Sequence, residues 1–334
     1  MPSQKSHPKT RQKLGQHFLS DIFWRTRIAE TLPVDRDAIW LEIGAGHGEM
    51  TELLASRARR VIAIETDAAL AAPLRERAAH FPSAANLPVE AAPHAKAVES
   101  AASPDWRNVE VVHADILSLD LAALIRSDPN DLWRGTVSTV PKSNVMRGAS
   151  APEAGLETGD ATHQTNSAAR FRVYGNLPYY ITSPILTHLF RFADHIDSIH
   201  IVTQLEVAQR IAAHPRSRDY GYLSTLCQFY ARPELIFRIP PGAFQPPPKV
   251  TSALIEMHLP GERASLGIRD ESAFLKFLQL CFAHKRKTLR NNLRGTYAHD
   301  AVAKALADAA LTDNSRAEEL TLHQFAQILT SLAA

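Results

Sequence analysis

Hydrophobic and polar positions alternate in two regimes along the chain. Over roughly the first two-thirds, short apolar runs alternate with stretches in which apolar residues recur at helical spacing. The runs predict strands at 38–43, 61–64, 109–112, 171–174 and 198–203, and the spaced stretches predict helices at 51–59, 67–79, 119–126 and from 204 to about 213. Strands separated by helices build a mostly parallel sheet covered on both faces, an α/β architecture. Two later apolar stretches, 234–239 and 252–258, flank a proline-rich turn and predict an antiparallel pair. From about Gly261 onward only helical periodicity remains, so a small all-helical domain should follow.

Two segments break this rhythm. Residues 81–104 are rich in Ala and Pro, and residues 135–168 in Ser, Thr, Gly and Ala, with few branched or aromatic side chains. Neither buries enough apolar surface to offset the entropy of ordering it, so both read as insertions in surface loops. The organisation expected is a basic, flexible N-terminal tail at 1–12, a catalytic domain at 13–260 carrying both insertions, and a helical RNA-binding domain at 261–334.

Composition narrows the class. The 334 residues are 45% hydrophobic and 22% charged, the balance of an ordinary globular protein. Two cysteines, Cys227 and Cys281, lie far apart in sequence, which excludes a disulfide scaffold and a Cys-rich metal site and fits a reducing cytoplasm. No apolar run reaches membrane-spanning length, and the polar, basic start has no secretory apolar region. The net charge of +2 argues against a nucleic-acid partner only until its distribution is considered. Residues 1–20 hold Lys5, Lys9, Arg11 and Lys13 and no acid. Residues 276–294 hold Lys276, Lys285, Arg286, Lys287, Arg290 and Arg294, again without an acid. Apolar residues at 278, 282, 289 and 293 predict one helix there, with a buried stripe and a basic outer face. Such a face is either merely solvated or tracks phosphates.

The chemistry collects at the strand ends. The first strand runs into Gly44-Ala45-Gly46-His47-Gly48, where glycines let the backbone approach a ligand ahead of a helix N-terminus. The G-x-G-x-G spacing differs from the dinucleotide fingerprint, and a tight strand–helix turn explains it equally well. Glu65 ends the second strand, where a carboxylate suits a ribose diol, and Asp115 ends the third, where it can accept from an adenine amine. Each acid alone could be only a helix N-cap or a loop charge. Asn176-Leu177-Pro178-Tyr179 ends the fourth strand. An amide oxygen from Asn176 and the carbonyl of Leu177 can accept both hydrogens of a poorly nucleophilic N6 amine. Pro178 restrains Leu177 away from the helical region, and Tyr179 offers a stacking face for an extruded base.

With Leu14-Gly15-Gln16-His17-Phe18-Leu19 near the start and the run from Phe244 to Ser252 (FQPPPKVTS), these motifs resemble class I S-adenosylmethionine-dependent methyltransferases that act on amino nitrogens. In particular they are similar to the KsgA/RsmA family, the small-subunit ribosomal RNA adenine dimethyltransferases. The resemblance spans roughly residues 10–294 outside the insertions, and the ordered set of motifs is highly specific. It implies a Rossmann-like fold, and a cofactor pocket lined by Gln16, His17, Leu19, Gly44, Gly46, Glu65, Asp115 and Asn176, with S-adenosylhomocysteine as product and no metal. It implies that Tyr179 and Phe244 sandwich the target base while Asn176, Leu177 and Pro178 present the acceptors. His17 departs from the asparagine common at that position in the family. Lys285, Arg286, Lys287, Arg290 and Arg294 would contact RNA. The implied substrate is a pair of adjacent adenines in a 3'-terminal hairpin of small-subunit (16S) ribosomal RNA in an immature subunit, met in the cytoplasm by a monomer without membrane contact. Two alternatives stay open: a macrolide-resistance type enzyme acting on large-subunit RNA, and a ribosome-assembly factor whose methylation is secondary. Leu177 argues against DNA adenine methyltransferases, which carry proline in that place.

Overall fold

The computed structural model describes residues 16–81, 106–126 and 170–333. The tail at 1–12, Leu14, Gly15 and nearly all of both expected insertions lie outside the described residues. Within them, strands β2 (Ile39–Ile43), β3 (Arg60–Glu65), β4 (Val109–His113), β5 (Phe171–Asn176), β6 (Ile196–Gln204), β7 (Arg232–Ile239) and β9 (Ser252–His258) form one sheet of order β4-β3-β2-β5-β6-β9-β7. The pairs from β4 through β6 are parallel, and β9 inserts antiparallel between β6 and β7. All five residues of β2 are buried, as a strand covered on both faces requires. The late antiparallel pair expected from the sequence is therefore present, with β7 at the sheet edge. A separate ladder joins β1 (Phe18–Leu19) to β8 (Phe244–Gln245), tying the first described residues to the proline-rich segment.

Helices α1 (Ile22–Thr31), α2 (Glu49–Ala55), α3 (Ala68–Ala79), α4 (Leu121–Arg126), α5 (Thr182–Phe190), α6 (Leu205–Ile211) and α7 (Tyr222–Tyr230) cover the sheet. Two apolar clusters fill its faces, one around Trp40, Leu54, Trp106 and Tyr174, the other around Leu41, Ile62, Val173 and Ile201. The expected helix at 51–59 starts at Glu49 and stops at Ala55, where the Ser56 hydroxyl donates to the Leu53 carbonyl. The expected helix at 119–126 is split. Asp115 caps a 3-10 turn at Ile116–Ser118, and α4 begins only at Leu121.

Four helices follow Gly261 among the described residues: α8 (Glu271–Cys281), α9 (Leu289–Leu293), α10 (His299–Asp308) and α11 (Leu322–Ala333). Their core is continuous with that of the sheet, through contacts such as Phe229 on Phe274 with ring centroids 5.3 Å apart. The change at residue 261 is one of secondary structure rather than of packing. The single helix expected across 276–294 is absent. α8 ends at Cys281, and the Asn292 amide donates to the Cys281 carbonyl at 2.7 Å and to the His284 carbonyl at 3.3 Å. Thr288 then caps a new helix by accepting the Asn291 N–H. With the old helix end satisfied and a new start capped, a turn wins over continuation. No helix among the described residues is long and apolar enough to cross a membrane.

Candidate active site

Parallel registry brings the ends of β2, β3, β4 and β5 to one level: Ile43 pairs with Ile64 and with Gly175, and Glu65 with His113. The chain leaves β2 toward β3 on one side, while β5 flanks β2 on the other. A crevice opens where the order reverses, beyond the carboxyl ends of the strands. A cavity lies there, lined among others by Gln16, His17, Gly44, Gly46, Glu65, Asp115, Asn176 and Tyr179.

The glycine loop is pinned from below. The N–H groups of Gly44 and Ala45 both donate to the Ile64 carbonyl, at 2.8 and 3.2 Å. Gly48 opens α2 with φ +87°, and a Cβ there would come within 2.8 Å of Leu74 and Trp106, so no larger residue fits. The carboxylate of Glu65, 2% exposed, accepts the Gly46 N–H at 2.9 Å with one oxygen and the Asp67 N–H at 2.8 Å with the other. Each oxygen keeps a second lone pair for a ligand hydroxyl. Asp115 combines both of its possible roles: one oxygen caps Leu117 at 3.0 Å, and the residue still lines the cavity.

Asn176 sits at the far wall. Its amide nitrogen donates to the His17 carbonyl at 2.8 Å. This contact fixes the flip of the amide and leaves its oxygen as the acceptor. The Leu177 N–H donates to the Val202 carbonyl at 3.0 Å, which orients the following peptide, and Pro178 holds ψ 131°. Burial pushes the Tyr179 phenol upward, partly offset by a 2.8 Å hydrogen bond with the Ser252 hydroxyl. The phenol is thus a neutral, fixed ring and not a base at neutral pH.

Two expected residues, Phe244 and Leu19, do not line the main cavity. Phe244 is 2% exposed and packs in the core cluster that includes Ala243 and Leu254, so its ring is not at the cavity wall. Leu19 is its ladder partner and is likewise buried; side chains alternate along β1, so Phe18 lines the main cavity and Leu19 borders only a smaller adjoining space. Ring contact with Tyr179 comes from His17 instead, with centroids 5.7 Å apart and planes 25° from parallel. Among the basic residues, Lys285, Arg286, Lys287 and Arg294 are exposed. Arg290 is not a free cation: it pairs with Asp313 and contacts His299.

Glu42 was not singled out from the sequence. It is 2% exposed, accepts the Thr51 hydroxyl at 2.6 Å, and borders the smaller space beside Gly44, Gly46, Met50 and Asn176. Burial pushes its carboxyl up to about 8. The signal for it was an acid inside an otherwise apolar strand, two residues before Gly44.

These positions fit S-adenosylmethionine. Glycine backbone, a buried carboxylate with spare lone pairs, an acid on a strand end and a fixed amide oxygen share one cavity. The chain matches the family described as ribosomal RNA adenine dimethylase over residues 7–89 and 94–334. It belongs to that family. Among relatives of this dimethylase, the Ribosomal RNA small subunit methyltransferase A of Koribacter versatilis is 36% identical over 329 residues, covering 98% of this chain and 96% of the relative. The protein of the same name from Acidobacterium capsulatum is 37% identical over 325 residues, covering 97% and 92%. The dimethylase also shares its fold with solved structures. A dimethyladenosine transferase from Plasmodium falciparum superposes with a TM-score of 0.63 at 20% identity, covering 94% of this chain and 96% of that one. The 23S rRNA methyltransferase ErmE does so with 0.56 at 25% identity, covering 95% and 100%.

Proposed function

We propose that this dimethylase transfers methyl groups from S-adenosylmethionine to the N6 amines of two adjacent adenines in a 3'-terminal hairpin of small-subunit (16S) ribosomal RNA. Its substrate would be the immature small subunit in the cytoplasm, and it would act as a monomer without a metal. The observation that carries the reading is the Asn176 amide: the His17 carbonyl occupies its nitrogen, so an acceptor oxygen stands in a cavity whose other strand ends present Glu65 and Asp115.

When bound, the cofactor supplies an electrophilic methyl group on sulfur. Glu65 would hold its ribose hydroxyls, Asp115 its adenine amine, Gly44 and Gly46 its amino-acid end, and Gln16 and His17 would wall it in. The chain's part in the chemistry is orientation. The Asn176 oxygen and the Leu177 carbonyl accept the two hydrogens of the target amine, which frees the nitrogen lone pair from the ring. As the nitrogen becomes cationic its proton grows acidic, and water can take it. These acceptors and the Tyr179 ring favour the growing positive charge. We read residues 13–260 as the catalytic part and 261–334 as the RNA-binding part, with Lys285, Arg286, Lys287 and Arg294 as phosphate contacts.

The names of the full-length relatives favour the small subunit. The shared fold does not discriminate, because ErmE has it too. The deciding experiment offers both ribosomal subunits from a methylase-deficient strain with labelled S-adenosylmethionine and maps the product. Label in two adjacent adenines of the small subunit is expected; label in the large subunit would select the resistance-enzyme reading. Maturation rescued by a catalytically dead Glu65→Ala protein would favour the assembly-factor reading.

A further inference from the structure

We infer that the loop from His214 to Asp219 and the turn from Ala283 to Thr288 form one phosphate-binding surface, on which Arg216 and Arg218 hold the backbone of the substrate RNA. The inference rests on the reading that the substrate is ribosomal RNA. It goes beyond that reading by placing part of the RNA contact before residue 261, between α6 and α7. The two segments are far apart in the chain and joined in space. The Lys285 ammonium donates to the Arg218 carbonyl at 2.7 Å, and the Arg216 N–H donates to the Glu318 carbonyl at 2.7 Å. Behind the loop, the Gln279 amide donates to the Tyr222 hydroxyl at 3.1 Å. The buried Tyr220 meets Phe282 edge to face, with ring centroids 6.1 Å apart. The loop is also closed on itself: the Ser217 N–H and hydroxyl both donate to the His214 carbonyl, at 3.1 and 2.7 Å. Its seat on the C-terminal helices is therefore fixed, and its charge is presented together with theirs.

That charge is positive and unspent. Arg216 and Arg218 are exposed, and neither has an ion-pair partner among the described residues. Asp219 is the only acid in the loop, and the turn has none. With Lys285, Arg286 and Lys287, the surface sets five cations against one carboxylate. Such a surface displaces counterions from a phosphate backbone, and the planar fork of arginine matches two phosphate oxygens at once. The backbone supports the same conclusion. Arg216 has φ +70°, in the left-handed region where glycine is free of strain and a residue with a Cβ is not. The chain spends that strain on a long, exposed cation. A strained position of this kind points to a role for the side chain it carries. Backbone contacts would also give the RNA a fixed register against the cavity without reading its sequence.

The test titrates full-length protein with small subunits from a methylase-deficient strain over a range of salt. Arg216→Ala with Arg218→Ala should weaken binding a few-fold at moderate salt. The slope of log affinity against log salt should become shallower by about 1.4–1.8, at roughly 0.7–0.9 for each of two phosphates. Arg216→Lys with Arg218→Lys keeps the charge and should recover most of the slope. Alanine at 216 bears the same backbone strain as arginine, so the loss reads the guanidinium and not the turn. Arg216→Gly separates the two effects further: it should weaken binding as much as Arg216→Ala without lowering the thermal midpoint. Calorimetric affinity for S-adenosylmethionine should stay within about twofold in every variant, because neither arginine lines the cavity. The surface is overturned if the double alanine variant keeps the wild-type slope, if the double lysine variant is as poor as the alanine one, or if binding falls only where the thermal midpoint falls. Wild type that neither binds nor methylates small subunits would overturn the functional reading, and this inference with it.

Discussion

At the ends of β2, β3, β4 and β5, Glu65 accepts two backbone N–H groups, Asp115 caps a turn, and Asn176 donates to His17 across 159 residues of sequence. In the turn from Ala283 to Thr288 between α8 and α9, Arg286 and Lys287 reach into solvent without an ion-pair partner among the described residues. Only Lys285 is tied there, its ammonium donating to the Arg218 carbonyl at 2.7 Å. The cavity achieves selectivity by fixing its groups before a ligand arrives. The turn offers charge without fixed geometry, which suits a phosphate backbone that must be held in many registers. A built site should therefore fail sharply at single residues, and a charged turn only gradually and in a salt-dependent way.

The sharpest failure is expected at Asn176. Asn176→Ala removes an acceptor that matters most as charge develops on nitrogen, so kcat should drop about 10²–10³-fold. RNA binding should stay within about twofold. Single-turnover methylation beside a filter-binding titration checks both, and parallel loss of the two would dissolve the contrast between cavity and turn. Glu65→Gln comes next. It replaces a carboxylate that accepts from Gly46 and Asp67, so affinity for S-adenosylmethionine should weaken roughly 10–100-fold, as for hydrogen bonds to a charged group. Calorimetric titration reads this directly. Unchanged affinity would leave Glu65 as a loop anchor only.

A third test concerns the cost of building the cavity. Glu42 has its carboxyl raised from an ordinary 4.5 to about 8 by burial. Between those values the folded protein binds a proton that the unfolded chain has released, so stability is fully present below about pH 4.5 and declines as pH rises toward 8. The slope is at most about 1.4 kcal/mol per pH unit, or tenfold in the folding equilibrium. Denaturant unfolding at pH 6 and pH 8 should show the decline, and Glu42→Gln should flatten it. An equal slope in the variant would place the titration elsewhere.

The two regions were also unequally legible in the sequence. Residues such as Gly44, Glu65, Asp115 and Asn176 could be placed together because each ends a strand, and parallel topology carries strand ends to one edge. Asp115 also performs the capping role considered as a rival to cofactor binding, and Glu65 braces the loops at Gly46 and Asp67 while Asp67 caps α3; a carboxylate has lone pairs for a ligand besides. The burial of Phe244 and Leu19 was not legible because the β1–β8 ladder spans more than 200 residues and leaves no local pattern; Leu19 still borders a space with Gly44, Gly46 and Asn176, and Phe18 lines the main cavity as well. Around 276–294 the spacing of apolar residues is that of a helix, and they are indeed buried or half-buried. Periodicity could not show that Asn292 would satisfy the end of α8 and let Thr288 start another helix. The sign of the charge was readable there and its presentation was not.

That difference of presentation separates two cations which look alike in sequence. Arg286 and Lys287 are exposed and free of acids, whereas Arg290, nearby in the chain, is spent on Asp313. If the turn tracks phosphates, Arg286→Ala with Lys287→Ala should weaken RNA binding a few-fold at moderate salt. The slope of log affinity against log salt should become shallower by about 1.5–2, at roughly 0.7–0.9 for each phosphate no longer neutralised. Methylation at saturating RNA should not change, because neither residue lines the cavity. Lys285 is best left out of that variant, since its bond to Arg218 would mix a packing effect into the reading. Arg290→Ala should leave the salt slope as it is and instead lower stability slightly, by about 0.2–1 kcal/mol for a largely surface ion pair. A shallower slope in Arg290→Ala would mean that the Asp313 pair opens on RNA and that Arg290 belongs to the contact surface after all. An unchanged slope in the double variant would reduce the turn to a solvated surface and move the phosphate contacts to another part of the chain.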